Sequence, residues 1–259
     1  MLSFYEAAVE GDVYGVSEHF ADWDVNIDTQ FENGNTALFA AAQRGHNNVV
    51  DYLLGEGANI HIVNRNGHTA LSIAAEKGHG DTLKKLLFYS SIDDVQAEVP
   101  VARAGGMTLL GIACMNMKSD VVKVLVESGA DVNMAGSANG YTPVICAVRT
   151  GDSRSLCELL LANADPNLPD SSGVTPMIHA CSVGLEKGIK ALLWMGANPI
   201  IPGPTGALPI QYAMTHRNVR IVNLLIDNGA DPRSTKEDVE RASRKLSAMR
   251  QMITAKGAF

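Results

Sequence analysis

Residues 140–151, GYTPVICAVRTG, combine the signals of a turn, a helix start and a helix end in one short segment. Thr142 and Pro143 suit a helix start, because a hydroxyl can cap free amides and proline lacks an amide that would stay unpaired there. Gly151 suits the left-handed residue that stops a helix. The first eight residues of this segment recur six times, with successive starts 33, 39, 34, 33 and 33 residues apart. A period near 33 indicates a stacked array of repeats. The copies start at Gly34, Gly67, Gly106, Gly140, Gly173 and Gly206.

A second helix is predicted after each copy of this phrase. In residues 118–133, KSDVVKVLVESGADVN, the apolar residues Val121, Val122 and Leu125 share one helical face, as in a helix with one buried side. Ala147 and its counterparts are small, which allows the first helices to press closely against their neighbours. Each repeat is therefore predicted to be a helix pair that buries its apolar face only by stacking on the next pair.

These features resemble the ankyrin repeat, whose pattern runs from a turn Gly through Thr-Pro-Leu-His-x-Ala and Gly-His to Gly-Ala-Asp-x-Asn. The resemblance implies an all-α repeat solenoid, an ankyrin array of helix-turn-helix units joined by β-hairpin loops. We expect about seven repeats over residues 1–233, beginning with an N-terminal capping repeat over 2–33. An irregular repeat near 90–133 holds six extra residues, and insertions of this kind fall in loops that often touch ligands.

Residues 234–259 depart from the repeat pattern. The apolar residues of this segment follow one another at steps of 3, 4, 3 and 4, which predicts a single amphipathic helix. We interpret the segment as a C-terminal capping helix and tail, and a helix that docks a partner is the alternative. The apolar residues are Val239, Ala242, Leu246, Met249 and Ile253.

Composition excludes several classes of function. A formal net charge of −7 and a pI near 5.5 argue against general binding of nucleic acid or of anionic membranes. No apolar run approaches the roughly 18–20 residues of a membrane span, and the first residues carry no signal-peptide pattern. We expect a monomeric cytoplasmic protein, with the nucleus as the alternative location, that does not insert into membranes.

The sequence offers little for catalysis or for a cofactor. It contains no His-Glu-x-x-His, no paired Cys-x-x-Cys and no Gly-rich phosphate loop, and its four cysteines are scattered. His46 and His79 occupy the Gly-His junction of the resemblance, which implies a structural role. His179 and Cys181 are two residues apart on a predicted helix and point in different directions, so they do not form a nucleophile and base pair. We expect a chain that is not an enzyme and that holds no cofactor or metal.

The resemblance places two groups of residues on the concave surface of the array: those flanking the hairpin glycine and those just before the glycine between the helices. The fixed charges at these positions are four positive against two negative, Glu32 and Glu76, which predicts a basic groove on an acidic protein. Methionine and tyrosine there are typical of an adaptable binding surface, and burial between repeats is the alternative reading. The candidate partner-binding residues are Arg44, Arg65, His68, Lys77, Arg103, Met107, Met115, Asn116, Tyr141, Arg149, Val174 and Val183.

We therefore predict a non-catalytic protein-protein interaction scaffold or adaptor that binds a partner segment in this groove. The expected partner is a peptide or helix with an apolar anchor between Met107 and Val183, and with acidic flanks that face the arginines and Lys77. One alternative is a targeting or substrate-recognition module of a larger enzyme, channel or tetratricopeptide-type protein. A pathogen effector and a binder of small anions such as sugar phosphates are further alternatives.

Asn133 is a candidate modification site. The stretch LVESGADVN around it resembles the sequence favoured by the asparaginyl hydroxylase that modifies ankyrin repeats in animals. The same stretch is also the structural consensus of the repeat.

Overall fold

The computed structural model describes residues 3–22, 25–96, 98–101, 105–231 and 233. These residues form fifteen α-helices and one two-stranded sheet, and the chain divides into two compact units, Met1–Ala164 and Asp165–Phe259. The first unit holds α1 (Phe4–Glu10), α2 (Val13–Asp22), α3 (Ala37–Arg44), α4 (Asn47–Gly55), α5 (Ala70–Lys77), α6 (Gly80–Phe88), α7 (Ile92–Gln96), β1 (Glu98–Val101), β2 (Gly105–Thr108), α8 (Leu109–Met115), α9 (Ser119–Glu127), α10 (Pro143–Thr150) and α11 (Ser153–Leu161). The second unit holds α12 (Pro176–Val183), α13 (Glu186–Trp194), α14 (Pro209–Thr215) and α15 (Val219–Asp227).

Within the first unit the helices stack in two parallel series. The first helices of successive repeats pack in the order α1, α3, α5, α8 and α10, and the second helices pack in the order α2, α4, α6, α9 and α11. Alanines on the first helices, such as Ala41 and Ala74, are fully buried and allow this close stacking. The predicted helix pairs of an ankyrin solenoid are thus confirmed. The extent of one continuous array over residues 1–233 stays a prediction, as do the boundaries of its capping repeats.

The helix boundaries follow the local signals of the sequence. The Thr142 hydroxyl accepts a hydrogen bond from the Ile145 amide at 3.2 Å, and Pro143 occupies the first turn of α10. Gly151 then ends α10 in the left-handed conformation, with φ of 76°. Thr36 and Thr108 cap α3 and α8 in the same way. The threonine caps persist although none of these repeats has the histidine of the Thr-Pro-Leu-His pattern.

The irregular repeat departs from the others in two ways. Met117 takes the position of the helix-ending glycine and adopts φ of 53°, a left-handed conformation that costs a side-chain-bearing residue about 1–2 kcal/mol. The segment that holds the extra residues forms the short helix α7 and the antiparallel pair of β1 and β2, in which Val99 lies opposite Met107. Gly136 of the next repeat lies against this hairpin, and a Cβ there would come within 2.5 Å of the Gly106 carbonyl oxygen.

The second unit repeats the same construction with two helix pairs. Its first helices α12 and α14 pack together, and so do its second helices α13 and α15. At the start of α14, Leu208 replaces the usual threonine, and the Gln211 side chain instead accepts a hydrogen bond from the Leu208 amide at 2.9 Å. Residues 234–259 lie outside the described residues, so the predicted terminal helix stays a prediction.

All four cysteines are free thiols. Cys114, Cys146 and Cys181 are buried. Burial raises the pKa of Cys146 and of Cys181 to about 12 and that of Cys114 well above its usual range, because it disfavours the thiolate. Cys157 on α11 is exposed.

Candidate functional site

The candidate surface of the first unit is built from the ends of its first helices. Each first helix from α3 to α10 places two residues immediately before the left-handed residue that ends it, and these helices pack side by side in chain order. The equivalent pairs therefore follow one another along the unit. We call them the helix-end row: Gln43, Arg44, Glu76, Lys77, Met115, Asn116, Arg149 and Thr150.

The last two pairs of the row lie within hydrogen-bonding reach of each other. The Thr150 hydroxyl, at the end of α10, lies 3.3 Å from the Cys114 carbonyl oxygen, just before Met115 at the end of α8. The Asn116 side chain donates to the Ile112 carbonyl at 2.9 Å, which holds the amide against its own helix. Met115 is 38% exposed. The exposed Met115 side chain thus lies beside the polar side chains of Asn116 and Thr150, which are held by hydrogen bonds.

Arg149 and Tyr141 form a cation–π pair in the same repeat. The guanidinium carbon of Arg149 lies 4.6 Å from the centroid of the Tyr141 ring. Arg149 is exposed and Tyr141 is half-buried, so the pair contributes on the order of 0.5–1 kcal/mol. The structure records no carboxylate within ion-pair distance of Arg149 among the described residues. A stacked guanidinium keeps a planar fork of donors for an incoming carboxylate.

Met107 and Tyr141 line a small apolar pit on the hairpin side of this pair. The pit has a volume of about 20 Å³, roughly the space of one water molecule, and Gly111 forms part of its wall. The Met107 methyl group lies 3.4 Å from the place where a Cβ of Gly111 would be. Methionine thus occupies space that Ile145 and Ile178 fill at the equivalent position of later repeats. Because methionine repacks easily, this pit is the most adaptable part of the surface.

The predicted cations differ in how they are paired. The Lys77 ammonium lies 2.7 Å from a Glu76 carboxylate oxygen, so much of its charge is balanced within the row. Arg44 and Arg65 are exposed, and none of the ion pairs among the described residues includes them. Arg103 lies outside the described residues. The positive charge at the predicted groove positions of the first unit therefore rests mainly on three arginines, Arg44, Arg65 and Arg149.

The position of His68 differs from the prediction that it lies on the partner-binding surface. Its residue is only 8% exposed, its Nδ1 lies 3.2 Å from the Ser72 hydroxyl, and its Nε2 lies 3.5 Å from a Glu76 carboxylate oxygen. Burial lowers the pKa of His68, and the nearby Glu76 raises it by a smaller amount. The residue holds the hairpin against α5 rather than standing on the surface, because Asn64 also accepts a hydrogen bond from its amide.

Two candidate residues belong to the second unit. Val183, at the end of α12, is exposed, and Val174, next to its hairpin glycine, is half-buried. They occupy the positions that Thr150 and Tyr141 hold in the preceding repeat. His179 lies in the same repeat, and its Nε2 is 2.9 Å from a carboxylate oxygen of Asp170.

The histidines that were predicted to be structural are confirmed as such. The Nε2 atoms of His46 and His79 lie 2.9 Å and 3.0 Å from the carbonyl oxygens of Val9 and Gln43, each in the preceding repeat. Because a carbonyl only accepts, Nε2 carries the proton in both rings. Asp170 also accepts from the amides of its own turn, so its contact with His179 stabilises the hairpin.

Sequence reasoning missed an apolar patch at the insertion. Phe88, Tyr89 and Ile92 are all exposed, and the two rings meet edge to face with centroids 5.3 Å apart. An open groove of about 340 Å³ lies beside them. Two signals were available: Phe88 and Tyr89 stand at the end of α6, where α4 has Gly55 and Glu56, and Ile92 takes the last position of the lost Gly-Ala-Asp ending.

Asn133 lies in the turn that follows α9. Its amide donates to the Asp131 carboxylate at 2.8 Å, and the residue is half-buried. Hydroxylation of its side chain stays a prediction.

Comparison with known proteins decides the family. The sequence model described as ankyrin repeats (3 copies) matches residues 4–99, 91–170 and 151–236. The chain belongs to the ankyrin-repeat family. Ankyrin repeats are protein-interaction modules and are generally non-catalytic, so the broad prediction of a protein-binding module is confirmed.

Solved structures support the same fold. The chain is similar to the ankyrin repeat domain of Bcl-3, a member of the IkappaB protein family, with a TM-score of 0.75, 24% identity, and coverage of 86% of this chain and 96% of that one. It is also similar to the human ASB11 ankyrin repeat domain, with a TM-score of 0.75, 21% identity, and coverage of 88% and 98%. At these identities the likeness concerns the fold alone.

Two curated relatives are palmitoyltransferases. The chain is 37% identical over 90 residues to palmitoyltransferase AKR1 of Kluyveromyces lactis, which is 35% of this chain and 12% of that protein. It is 34% identical over 64 residues to putative palmitoyltransferase ZDHHC13 of Danio rerio, which is 25% of this chain and 10% of that protein. The chain therefore matches about a tenth of the length of these relatives. None of the helices in the described residues is long and apolar enough to cross a membrane.

Proposed function

We propose that the chain is a non-catalytic scaffold or adaptor whose first unit binds a segment of a partner protein in its concave groove. The binding surface comprises the helix-end row together with Arg65, Met107 and Tyr141. The observation that carries the proposal is the exposed Arg149 guanidinium, held 4.6 Å over the Tyr141 ring next to the exposed Met115. An arginine stacked on an aromatic ring beside an apolar side chain is a frequent composition of binding hot spots.

The charges favour a partner segment with acidic flanks. Arg44, Arg65 and Arg149 are exposed arginines on a protein whose net charge is −7, so they stand out from an acidic surface. Such a basic stretch raises the association rate of an acidic segment and fixes its register more than it raises raw affinity. Binding should therefore weaken as the salt concentration rises.

The apolar part of the surface favours a single anchoring side chain. The pit between Met107 and Tyr141 is small at rest, and displacement of the Met107 side chain from Gly111 would enlarge it. Such an adaptable pocket suits an apolar residue of a peptide or helix, with Met115 at its edge.

We propose that the protein acts in the cytoplasm as a monomer.

The test compares three purified proteins, each with all 259 residues, as baits in native lysate. The groove variant carries Met115→Glu and Arg149→Glu, both at exposed positions. The matched control carries Leu161→Glu and Lys187→Glu, which also replace one exposed apolar residue and one exposed cation, on the second helices. Proteins that the wild type and the control retain, and the groove variant loses, are then purified for titration.

We expect the groove variant to bind such a partner at least about tenfold more weakly than the wild type, since hot-spot residues each contribute about 2 kcal/mol. Equal affinity of the groove variant and the wild type would refute the proposed surface. A larger loss in the control variant would place the interface on the second helices instead.

A second candidate function is a substrate-recruiting module of a larger enzyme. The similarity to ankyrin segments of two palmitoyltransferases favours it over a pathogen effector or a binder of small anions. Immunoblotting of the native protein distinguishes the scaffold from the recruiting module by size. A native mass well above 27.5 kDa, together with acyltransferase activity in the immunoprecipitate, would support the recruiting module, and a mass of 27.5 kDa would contradict it.

A further inference from the structure

The junction between α6 and α9 lacks the two side-chain bridges that tie α4 to α6. One bridge is the hydrogen bond that the Thr82 hydroxyl donates to the Asn47 side-chain oxygen at 2.7 Å. The other is the Lys85 ammonium, which lies 2.6 Å from an Asp51 carboxylate oxygen. At the next junction valines replace both Thr82 and Lys85, so neither bridge can form. The residues at the four equivalent positions are Gly80, Lys84, Val121 and Val124.

Lys84 is left as an exposed cation at this junction. It occupies the position of Asp51, and the residue at the position of Lys85 is the buried Val124. None of the ion pairs among the described residues includes Lys84. Asp81, three residues earlier on α6, is also exposed and also outside these ion pairs. Both charges are thus available to another molecule.

Two open grooves meet at Lys84. The first has a volume of about 270 Å³ and lies between α6 and α9, where Asp81 and Val124 line it. The second has a volume of about 340 Å³ and is lined by Phe88 and Ile92. Asp81, Lys84 and Phe88 are separated by three and four residues on α6, so they lie on one face of that helix. We call this surface the second-helix groove: Asp81, Lys84, Phe88, Tyr89, Ile92 and Val124.

The apolar end of the second-helix groove is a contiguous patch. Phe88, Tyr89 and Ile92 are 84%, 52% and 51% exposed, and the two rings are in contact. Leu161 is also exposed at the equivalent end of α11, but an isolated apolar residue is normal on a protein surface. Contiguous exposed apolar residues beside a groove are typical of an interaction site.

The apolar end is also well ordered. The Ile92 δ carbon lies 3.3 Å from the place where a Cβ of Gly129 would be, so α7 packs closely on the turn after α9. The Asp94 carboxylate accepts a hydrogen bond from the Ser91 amide at 2.7 Å. The same carboxylate lies 3.1 Å from Nδ1 of His61, in the loop between α4 and α5. A surface that is ordered in this way loses little conformational entropy when a partner binds.

We propose that the second-helix groove is a second docking surface, which takes an amphipathic helix of a partner protein. The groups on the surface follow one another as anion, cation and apolar patch. The partner helix therefore carries a basic residue facing Asp81, a carboxylate facing Lys84, and apolar residues on Phe88 and Ile92. These groups are about one helical turn apart on α6, which matches the spacing of side chains along a second helix. The surface is separate from the proposed partner groove at the ends of the first helices.

The probe for this surface is a displayed library of Ala-rich helices of about 14 residues, roughly 21 Å long, with one randomised face. The library is first cleared on the Phe88→Ser variant, which removes helices that bind elsewhere on the protein. It is then selected on the wild-type protein of 259 residues. Because Phe88 is largely exposed, its replacement leaves the fold intact. Enriched helices are synthesised as peptides for titration.

The titrations use two substitutions in the groove, each with a matched control. Lys84→Glu inverts the groove cation, and Lys187→Glu inverts an exposed cation on α13. Phe88→Ser removes the last side chain of α6, and Leu161→Ser removes the exposed apolar side chain at the same position of α11. The variant with Met115→Glu and Arg149→Glu separates this surface from the groove at the ends of the first helices.

We expect the enriched helices to carry an acidic residue about one turn from their apolar residues. Lys84→Glu should weaken their binding about tenfold, because an attraction becomes a repulsion. Phe88→Ser should weaken it about tenfold or more, because an aromatic contact is lost. The two control variants and the variant at Met115 and Arg149 should bind like the wild type. Replacing the acidic residue of the peptide by lysine should restore binding to the Lys84→Glu protein.

Three results would overturn the proposal. The first is a selection that enriches no helix, and the second is equal affinity of the enriched helices for the wild type and for Lys84→Glu. The third is a wild-type molar mass that rises with concentration to that of a dimer, together with a monomer mass for Phe88→Ser. In that case the apolar patch would meet a second copy of the chain.

Discussion

The junctions between repeats are built differently in the regular and the irregular part of the first unit. At the regular junction, the His79 ring packs onto Gly45, and its Nε2 bonds the Gln43 carbonyl at 3.0 Å. At the irregular junction, Lys118 takes the place of the histidine and packs its aliphatic stem onto Gly78. The backbone arrangement is kept at both junctions. The regular junction is thus held by a rigid ring and its hydrogen bond, whereas the irregular junction is filled by a flexible lysine side chain.

The largest expected effect comes from adding a methyl group at each junction glycine. In Gly45→Ala, the new Cβ would lie 2.7 Å from the His79 ring, at a residue with φ of 77°. We expect a loss of about 3 kcal/mol in unfolding free energy, as about 1–2 kcal/mol of left-handed strain adds to displacement of the ring and its hydrogen bond. Gly78→Ala should cost only about 1–2 kcal/mol, because the Lys118 stem can move.

Urea denaturation of these two variants measures the difference, and Gly57→Ala is the control. A Cβ at Gly57 would have no neighbour within 4 Å at a similar φ of 86°, so that variant reports the backbone strain alone. If Gly45→Ala unfolded at the same urea concentration as Gly57→Ala, the ring would not constrain the junction.

Removing the junction side chains should give the next largest effect. His79→Ala leaves the Gln43 carbonyl without its ring donor, and we expect a loss of about 2 kcal/mol. Lys118→Ala removes only part of a solvated stem and should cost less than about 1 kcal/mol. Thermal unfolding of both variants checks the order, and equal costs would show that the hydrogen bond adds nothing to ring packing.

Met117→Gly should stabilise the irregular repeat. Met117 adopts φ of 53°, and a glycine would remove about 1–2 kcal/mol of strain, of which part is offset by its greater freedom in the unfolded chain. We expect a net gain of about 0.5–1 kcal/mol in urea denaturation. Asn163→Gly should gain less, since asparagine tolerates the same conformation. A destabilised Met117→Gly variant would mean that the methionine side chain contributes packing despite being 61% exposed.

The smallest expected effect is a pH dependence of stability due to His68, whose counterpart in the irregular repeat is Met107. Burial lowers the pKa of His68 in the folded protein, so the unfolded chain takes up a proton first as the pH falls. Stability should therefore decrease below about pH 6.5, the pKa of an unperturbed histidine, and this decrease should level off below the folded pKa. Urea denaturation at pH 7.5 and pH 5 should show a smaller loss for His68→Asn than for the wild type. An equal loss of stability in both proteins between these two pH values would contradict the prediction that His68 causes it.

The sequence predicted the regular parts of the fold because their signals are local. Thr142, Pro143 and Gly151 state where a helix begins and ends, and the histidine junctions follow from a fixed spacing. The insertion was located but its structure was not predicted, although Ser91 and Asp94 carry a local signal. The Ser91 hydroxyl accepts from the Asp94 amide at 3.2 Å, and the Asp94 carboxylate accepts from the Ser91 amide at 2.7 Å, a capping box that starts α7.

The candidate site was predictable only in part. The helix-end row follows from the repeat register, so the positions of Met115 and Arg149 could be read from the sequence. The contacts of His68 and Lys77 could not, because both side chains meet the carboxylate of Glu76 on α5. Side-chain pairing of this kind is decided by rotamers and competing contacts, which a repeat pattern does not encode.

The distribution of thiols makes the wild-type chain a convenient object for spectroscopy. Three sulfurs are sealed in the core with strongly raised pKa values, and Cys157 alone is exposed. A maleimide dye added to the native protein will therefore mark one position on α11. Partner binding at the ends of the first helices can then be followed by anisotropy without any engineered cysteine.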